Sequence, residues 1–247
     1  MAPSRSFLTL ATVLLGGCLI NSELYDERHE ALLAEAEPGG TYGVRFAGDP
    51  DCILVEAAGL AVDGPFSFDA YIWPDAAPGF DVWPVVAWPG HFAVYQDPYG
   101  YTIAGPADEL GTTTGASTTT SIMDGDTHHI AINYGQNGYL TLYIDGVQKS
   151  YVPVEFSGEA SSNLYIGCWP EQDATFAGVI GEVRLSDSAL YAADFEPSWE
   201  PYETSQSTLG LWHLDEGEGT EIFDETGEHD GVLYGGSWEH FYLGPEQ

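Results

Sequence analysis

The chain has 247 residues, of which 39 are Asp or Glu and only 5 are Lys or Arg, so its formal net charge is −34 at pH 7. A surface this acidic repels nucleic acids, anionic lipids and sulfated polysaccharides, whereas neutral and cationic partners meet no such barrier. With 44% hydrophobic and 18% charged residues, the composition indicates a globular protein with a core and excludes a disordered chain.

Residues 1–17 have the pattern of a bacterial lipoprotein signal peptide. Arg5 precedes an apolar run over residues 7–15, which is too short to cross a bilayer because a spanning helix needs about 20 residues. The run ends in Leu15-Gly-Gly-Cys18, which resembles the lipobox whose cysteine receives the lipid. This predicts an exported protein, anchored through Cys18 to the bacterial cell envelope on its periplasmic or outer side. The alternative is an ordinary secretory signal with an incidental cysteine.

Residues 18–40 form an acidic linker behind this anchor. The segment carries six carboxylates, shows some helical periodicity and ends at Pro38-Gly39-Gly40. We predict a short helix there, with a largely solvated face and no binding motif.

The cysteine count predicts one disulfide bond. If Cys18 carries lipid, Cys52 and Cys168 remain as an even pair. Exported proteins are oxidised, so we expect these two residues to be joined. The alternative is a pair of buried free thiols.

Beyond residue 41 apolar and polar residues alternate, which is typical of half-buried β-strands. In residues 66–73 Phe66, Phe68, Ala70 and Ile72 share one face, and residues 140–144 alternate in the same way before Asp145-Gly146, a type I′ turn signal. Many short strands at this spacing predict an all-β sandwich or jelly roll.

Six consecutive stretches resemble, in order, the strands of a laminin-G-like domain of the concanavalin A-like class. They are residues 42–49 (YGVRFAGD) with 52–56 (CILVE), 66–74 (FSFDAYIWP), 127–134 (THHIAINY), 140–147 (LTLYIDGV), 164–167 (LYIG) and 176–185 (FAGVIGEVRL). The resemblance implies a two-sheet antiparallel jelly-roll sandwich, which we place at residues 41–247.

The C-terminal residues 207–243 are out of the family's order. LGLWHLDEG at 209–217 and DETGEHDG at 224–231 resemble a stretch that comes earlier in the family. Residues 207–243 are too few to hold a core alone, so they either dock as edge strands on the preceding strands or begin a truncated second domain. We favour docking, which places Leu243 beside Tyr42 and buries side chains that an isolated hairpin exposes, namely Leu209, Leu211, Leu214, Val232 and Leu233.

The sequence contains no catalytic signature. A glucanase on this fold needs carboxylates two residues apart on one strand, whereas the closest string, Glu221-Ile-Phe-Asp224-Glu225, has a different spacing. A G-x-S-x-G elbow and a P-loop are absent from the sequence as well. We therefore predict no enzymatic activity and keep a degenerate glycoside hydrolase as an alternative.

The resemblance also implies a structural calcium ion near the first loop of the domain. Asp49 and Asp51 match the family's acidic loop, and Glu182 matches an acid near its end, although Gly181 stands where the family often has Asp. Carboxylate oxygens are the ligands that calcium prefers, so Asp49, Asp51 and Glu182 are the candidate ligands.

Aromatic residues around proline-rich turns are the candidate binding surface, namely Trp73, Trp83, Trp88, Tyr99, Tyr101 and Trp169. Aromatic faces stack on neutral sugars and pack against proteins, although the same side chains also fill cores. The sequence predicts a non-catalytic binding module for a neutral carbohydrate or a protein at the envelope. It predicts no nucleic-acid partner, and membrane contact only through the N-terminal lipid. The alternative is a passive structural envelope module without a small ligand.

Overall fold

The computed structural model describes residues 40–48, 50–60, 62, 64–75, 82–107, 115–156 and 160–244. The predicted signal peptide, Cys18 and the linker as far as residue 39 lie outside these ranges, as does Asp49. None of the described segments is an apolar helix long enough to span a bilayer.

The described residues form strands and one short 3₁₀ turn at Pro170–Gln172. The strands are β1 (Gly40–Phe46), β2 (Cys52–Glu56), β3 (Phe66–Pro74), β4 (Trp83–Ala87), β5 (Phe92–Gln96), β6 (Tyr101–Pro106), β7 (Ala116–Ser121), β8 (His128–Tyr134), β9 (Tyr139–Ile144), β10 (Val147–Pro153), β11 (Asn163–Ile166), β12 (Cys168–Trp169), β13 (Ala174–Thr175), β14 (Gly178–Ser186), β15 (Thr208–Trp212), β16 (Glu221–Ile222), β17 (Gly231–Tyr234) and β18 (Ser237–Tyr242).

Two eight-stranded antiparallel sheets pack face to face. Sheet A has the order β10-β9-β8-β3-β14-β1-β18, with β15 also paired to β14, and sheet B has the order β16-β17-β2-β11-β4-β5-β6-β7. Strands β12 and β13 form a separate small hairpin. Neighbours in each sheet are often distant in sequence, as in a jelly roll, so the predicted all-β, two-sheet antiparallel sandwich is confirmed.

The core lies between the sheets and follows the predicted alternation. Phe66, Phe68, Ala70 and Ile72 of β3 are buried in one continuous apolar cluster with side chains from sheet B. The rings of Phe66 and Phe92, which come from opposite sheets, have centroids 5.2 Å apart. Each large apolar side chain buried in this way stabilises the fold by about 1.5–3 kcal/mol.

The C-terminal residues 208–242 are part of both sheets. Strand β15 pairs with β14, β17 with β2, and β18 with β1, where His240 lies opposite Tyr42. Just beyond β18, Leu243 packs against Tyr71 and Val179. These pairings make the C-terminal segment continuous with the sandwich.

One residue of this segment departs from the expected burial. Val232 is 43% exposed, whereas its neighbour Leu233 lies in the core. Successive side chains of a strand point to opposite faces, so burying Leu233 against the sandwich places Val232 on the outer face of sheet B.

Candidate functional site

An open pocket of about 340 Å³ lies on the outer face of sheet B, beside the β12–β13 hairpin. Tyr165 and Tyr234 contribute aromatic rings to its lining, and Asp51 and Asp173 contribute carboxylates. The other lining residues are small, apolar or disulfide-bonded, among them Pro50, Leu54 and Pro170. The volume is within the range of small-ligand pockets.

Strand alternation and register bring these side chains together. In β2, Ile53 and Val55 point into the core, so Cys52 and Leu54 face outward. Leu54 lies opposite Val232 of β17 on one side and opposite Tyr165 of β11 on the other, and Cys52 lies opposite Tyr234. The pocket floor is therefore built on three hydrogen-bonded strands.

A disulfide bond holds the hairpin wall of the pocket. Cys52 and Cys168 are joined across a Cα–Cα distance of 5.2 Å, which confirms the predicted pairing. Next to Cys168, Trp169 is buried against Ala87 and Ala93 of sheet B. The bridge and this ring together fix the β12–β13 hairpin against the sheet.

The two pocket carboxylates differ in how they are held. Asp51 accepts hydrogen bonds from the backbone N–H groups of Ala47 (2.8 Å) and Gly236 (2.7 Å). Asp173 ends the 3₁₀ turn with a left-handed backbone (φ 53°), and its N–H donates to the Pro170 carbonyl at 3.1 Å. The exposed Asp173 carboxylate makes no hydrogen bond with another described residue. One acid is thus anchored and the other is open to a ligand.

Three of the predicted binding aromatics are structural. Trp83 and Trp88 are buried in the core between the sheets, where the Trp88 indole donates to the Ser161 carbonyl at 2.8 Å. Trp169 lies under the hairpin, as described above. The faces of these rings are covered by protein, so they are not available to stack on a ligand, and the expectation is corrected for all three.

The other three predicted aromatics lie apart from the pocket lining. Tyr99 is 73% exposed and lies beside Tyr101 near the turn between β5 and β6, with ring centroids 6.1 Å apart. Trp73 is half-buried on sheet A, and its indole donates to the Gly125 carbonyl at 2.6 Å. The structure therefore does not assemble the six aromatics into one surface.

Sequence reasoning missed the two pocket tyrosines. Tyr165 was detectable, because the buried Leu164 and Ile166 imply by alternation that the residue between them faces outward. Tyr234 was not, because its place beside Cys52 depends on the pairing of β17 with β2.

The described calcium candidates do not form a common donor set. Both oxygens of Asp51 accept backbone N–H groups, as given above. Glu182 accepts from the His213 ring (2.8 Å) and from the Tyr202 N–H (3.0 Å). In the described ranges, no three His, Cys, Asp or Glu side chains are grouped to hold a metal. Asp49 lies outside those ranges, so a calcium site that includes it stays a prediction.

Glu182 instead belongs to a buried ion pair. It is the extra residue of a β-bulge in β14, with a left-handed backbone (φ 49°). Burial opposes the charging of His213, but its hydrogen bond to Glu182 and the negative charges of Glu182 and Asp215 raise its pKa to about 9. A protonated imidazole at this carboxylate disfavours a second cation.

A second buried acid lies close in sequence to His213. Glu216 is 3% exposed, and its Oε1 accepts from the Phe223 N–H at 2.8 Å. Its Oε2 has no hydrogen-bond partner among the described residues. Burial raises the pKa of Glu216 to about 7 because the charged form is poorly solvated there.

These two groups predict that stability falls as pH rises. Glu216 and His213 both have folded-state pKa values above their ordinary values of 4.5 and 6.5. The folded chain therefore binds protons that the unfolded chain has already released, between about pH 4.5 and 7 for Glu216 and between 6.5 and 9 for His213. We expect the melting temperature, followed by calorimetry, to decline steadily from pH 5 to 9.

Glu216→Gln separates this effect from general charge repulsion. The glutamine does not titrate, so the decline between pH 5 and 7 should become shallower by about 2 kcal/mol of unfolding free energy. The decline between pH 7 and 9 should remain. If the stability of the wild type and of Glu216→Gln declined equally between pH 5 and 7, the raised pKa of Glu216 would be contradicted.

A solved structure has a similar fold. A proposed carbohydrate-binding protein from Bacteroides ovatus superposes with a TM-score of 0.67 at 18% identity, over 83% of this chain and 61% of that protein. This chain thus spans about three fifths of that relative. A heptameric SAP-like pentraxin from Limulus polyphemus has a TM-score of 0.44 at 13% identity, over 61% and 78% of the two chains. Botulinum neurotoxin type C gives 0.48 at 9% identity, over 64% and 41%.

Sequence comparison identifies the family. No curated protein sequence matches the chain at a significant level. A laminin-G-type family model matches residues 47–194, more than half of the chain, and confirms the resemblance drawn from the strand motifs. The chain belongs to the concanavalin A-like lectin/glucanases superfamily.

Proposed function

We propose that the chain is a non-catalytic module that binds a carbohydrate in the pocket on the outer face of sheet B. The observation that carries the proposal is that two tyrosine rings, Tyr165 and Tyr234, line one pocket together with the carboxylates of Asp51 and Asp173. Sugars offer apolar C–H faces that stack on aromatic rings, and hydroxyl groups that donate to carboxylates. The Bacteroides ovatus protein, itself proposed to bind carbohydrate, has a similar fold and supports this assignment.

The absence of catalysis is part of the proposal. A glycosidase needs a carboxylic acid whose pKa is raised so that it can protonate the leaving group, and a second carboxylate facing it. The acids whose pKa is raised, Glu182 and Glu216, are buried and do not line the pocket. Asp51, which does line it, already holds two backbone N–H groups.

The proposed place of action is the cell envelope. If Cys18 is lipidated, the acidic linker holds the sandwich away from the membrane, and the acidic surface keeps it clear of anionic lipid headgroups. A glycan or a protein of the envelope is then the nearest partner. Metabolic labelling with a fatty acid, compared between the wild type and Cys18→Ala, tests the anchor.

The binding site is tested with Tyr234→Ala. Removing the ring takes away one stacking surface, so we expect glycan affinity to fall about tenfold, which corresponds to about 1.4 kcal/mol. A glycan array first identifies the ligand, and calorimetric titration then measures the change.

The matched control is Tyr151→Ala. Tyr151 and Tyr234 are both 49% exposed, but Tyr151 lies on β10 at the edge of sheet A. Its loss should leave the affinity unchanged. Equal weakening by both substitutions, or an array on which no glycan binds, would contradict the proposed site.

A further inference from the structure

We infer that the pocket selects glycans that carry a protonated amine, that is, amino sugars without their acetyl groups. The inference rests on the proposed carbohydrate function and names the ligand class for the same pocket. Asp51 and Asp173 both line this pocket, and the described part of its lining contains no Lys, Arg or His. The site is therefore negatively charged beside two tyrosine rings.

No described lysine or arginine is placed to neutralise the pocket. Arg45 pairs with Glu239 and, at 2.9 Å, with Asp75. Arg184 is held by the buried Asp69 at 3.3 Å, and Lys149 lies on β10 of sheet A. With a formal charge of −34 over the whole chain, the field at the pocket attracts cations and repels uronic, sialic and sulfated sugars.

The two carboxylates suit different parts of such a ligand. Asp51 is fixed by two backbone N–H groups, yet each of its oxygens keeps a lone pair that can accept from a sugar hydroxyl. The Asp173 carboxylate makes no hydrogen bond with another described residue, and the disulfide at Cys168 fixes the hairpin that carries it. An ammonium group at Asp173 gains a charge-assisted hydrogen bond that a neutral hydroxyl does not.

The tyrosine rings strengthen the same preference. The face of an aromatic ring carries negative potential and attracts a cation within about 6 Å of its centre. Tyr165 and Tyr234 line the pocket together with both acids, so an amine bound between an acid and a ring is stabilised by both. An acetylated nitrogen is neutral and gains from neither charge interaction.

The test compares three oligosaccharides of equal length by calorimetric titration into the purified protein. They are a glucosamine tetramer, its fully N-acetylated form and a uronic acid tetramer. At 20 mM salt we expect the amine form to bind about tenfold more tightly than the acetylated form, and the uronate form not to bind. At 1 M salt, where the Debye length is about 3 Å, the preference should shrink to about twofold.

Asp173→Asn should lower the ratio of amine to acetylated affinity to about twofold at 20 mM salt. The matched control is Asp187→Asn, which removes one exposed charge beyond β14 in sheet A and should keep the wild-type ratio. An unchanged ratio in Asp173→Asn would overturn the inference.

The outcomes separate this inference from the proposed function. Equal binding of the amine and acetylated tetramers, lost in Tyr234→Ala, would overturn the preference and leave the carbohydrate site standing. If a lysine-rich peptide binds at Tyr234 and no sugar binds, both are overturned.

Discussion

Replacing Cys52 and Cys168 together with serine is expected to lower the free energy of unfolding by about 4–5 kcal/mol. The bridge joins residues separated by 116 positions, and a cross-link over so long a loop removes much of the entropy of the unfolded chain. Urea denaturation of the oxidised wild type and the double variant measures the difference. The slope of the transition is expected to change as well, because the uncrosslinked unfolded chain is less compact.

Reduction supplies an independent control for this effect. The wild type treated with a reductant should reach the stability of the double variant, and the double variant should not respond to the reductant. Glycan affinity, measured where both proteins are folded, should also fall, because the hairpin wall of the pocket loses its link to β2. An unfolding free energy that is the same with and without the bridge would refute the expected contribution.

The strands and the bridge could be predicted because their signals are local or simple. The alternation of Phe66, Phe68, Ala70 and Ile72 already determines which face of β3 is buried, whatever the sheet around it. The disulfide followed from counting cysteines in a chain that the sequence predicts to be exported. Neither inference required the order of strands in the sheets.

The pocket could not be predicted because it is a product of that order. Tyr165 and Tyr234 come from strands that are far apart in the sequence, and they line the same pocket only because both strands pair with β2. Conversely, the tryptophans at 83, 88 and 169 attracted a functional interpretation because large aromatic residues serve cores and binding surfaces alike. The residue type alone does not determine whether a tryptophan is buried in the core or exposed at a binding surface.

The segment from residue 187 to 206 shows a further limit. It contains no strand or helix, so it has no periodic signal. Yet its aromatic residues cover the outer face of sheet A, where Tyr191 and Phe195 stack with centroids 3.8 Å apart. The Tyr202 ring lies 4.1 Å beneath the Arg184 guanidinium. Residues 187–206 therefore bury polar residues of β3, β8 and β14 that strand alternation alone would predict to be exposed to solvent.

Asp69→Asn should therefore destabilise the fold by about 3–5 kcal/mol, the range observed when one partner of a buried ion pair is removed. Asp69 is fully buried, accepts a hydrogen bond from the Tyr191 hydroxyl, and lies 3.3 Å from Arg184 Nη2 and 3.6 Å from His129 Nε2. The asparagine keeps the shape of the side chain and removes only the charge. Arg184 would then remain largely buried without a counter-charge. Urea denaturation measures the loss.

Asp75→Asn is the matched control. Asp75 also pairs with an arginine, Arg45, but half of its side chain is exposed, and exposed pairs contribute about 0–1 kcal/mol. A similar small loss in both variants would show that the Asp69 pair does not support the fold more than an exposed pair does.

The double variant Asp69→Asn with Arg184→Met distinguishes a stranded charge from lost packing. If the cost of Asp69→Asn comes from the uncompensated guanidinium, removing that guanidinium as well should recover part of the stability.

Asp69→Asn should also destabilise the attachment of residues 187–206 to sheet A, because the Tyr191 hydroxyl donates a hydrogen bond to Asp69. Hydrogen exchange should then quicken at the N–H groups of Leu190, bound to Asn133, and Phe195, bound to Gly146. Faster exchange there, with β2 and β11 unchanged, would place the role of Asp69 in attaching residues 187–206 to sheet A rather than in the pocket on the outer face of sheet B.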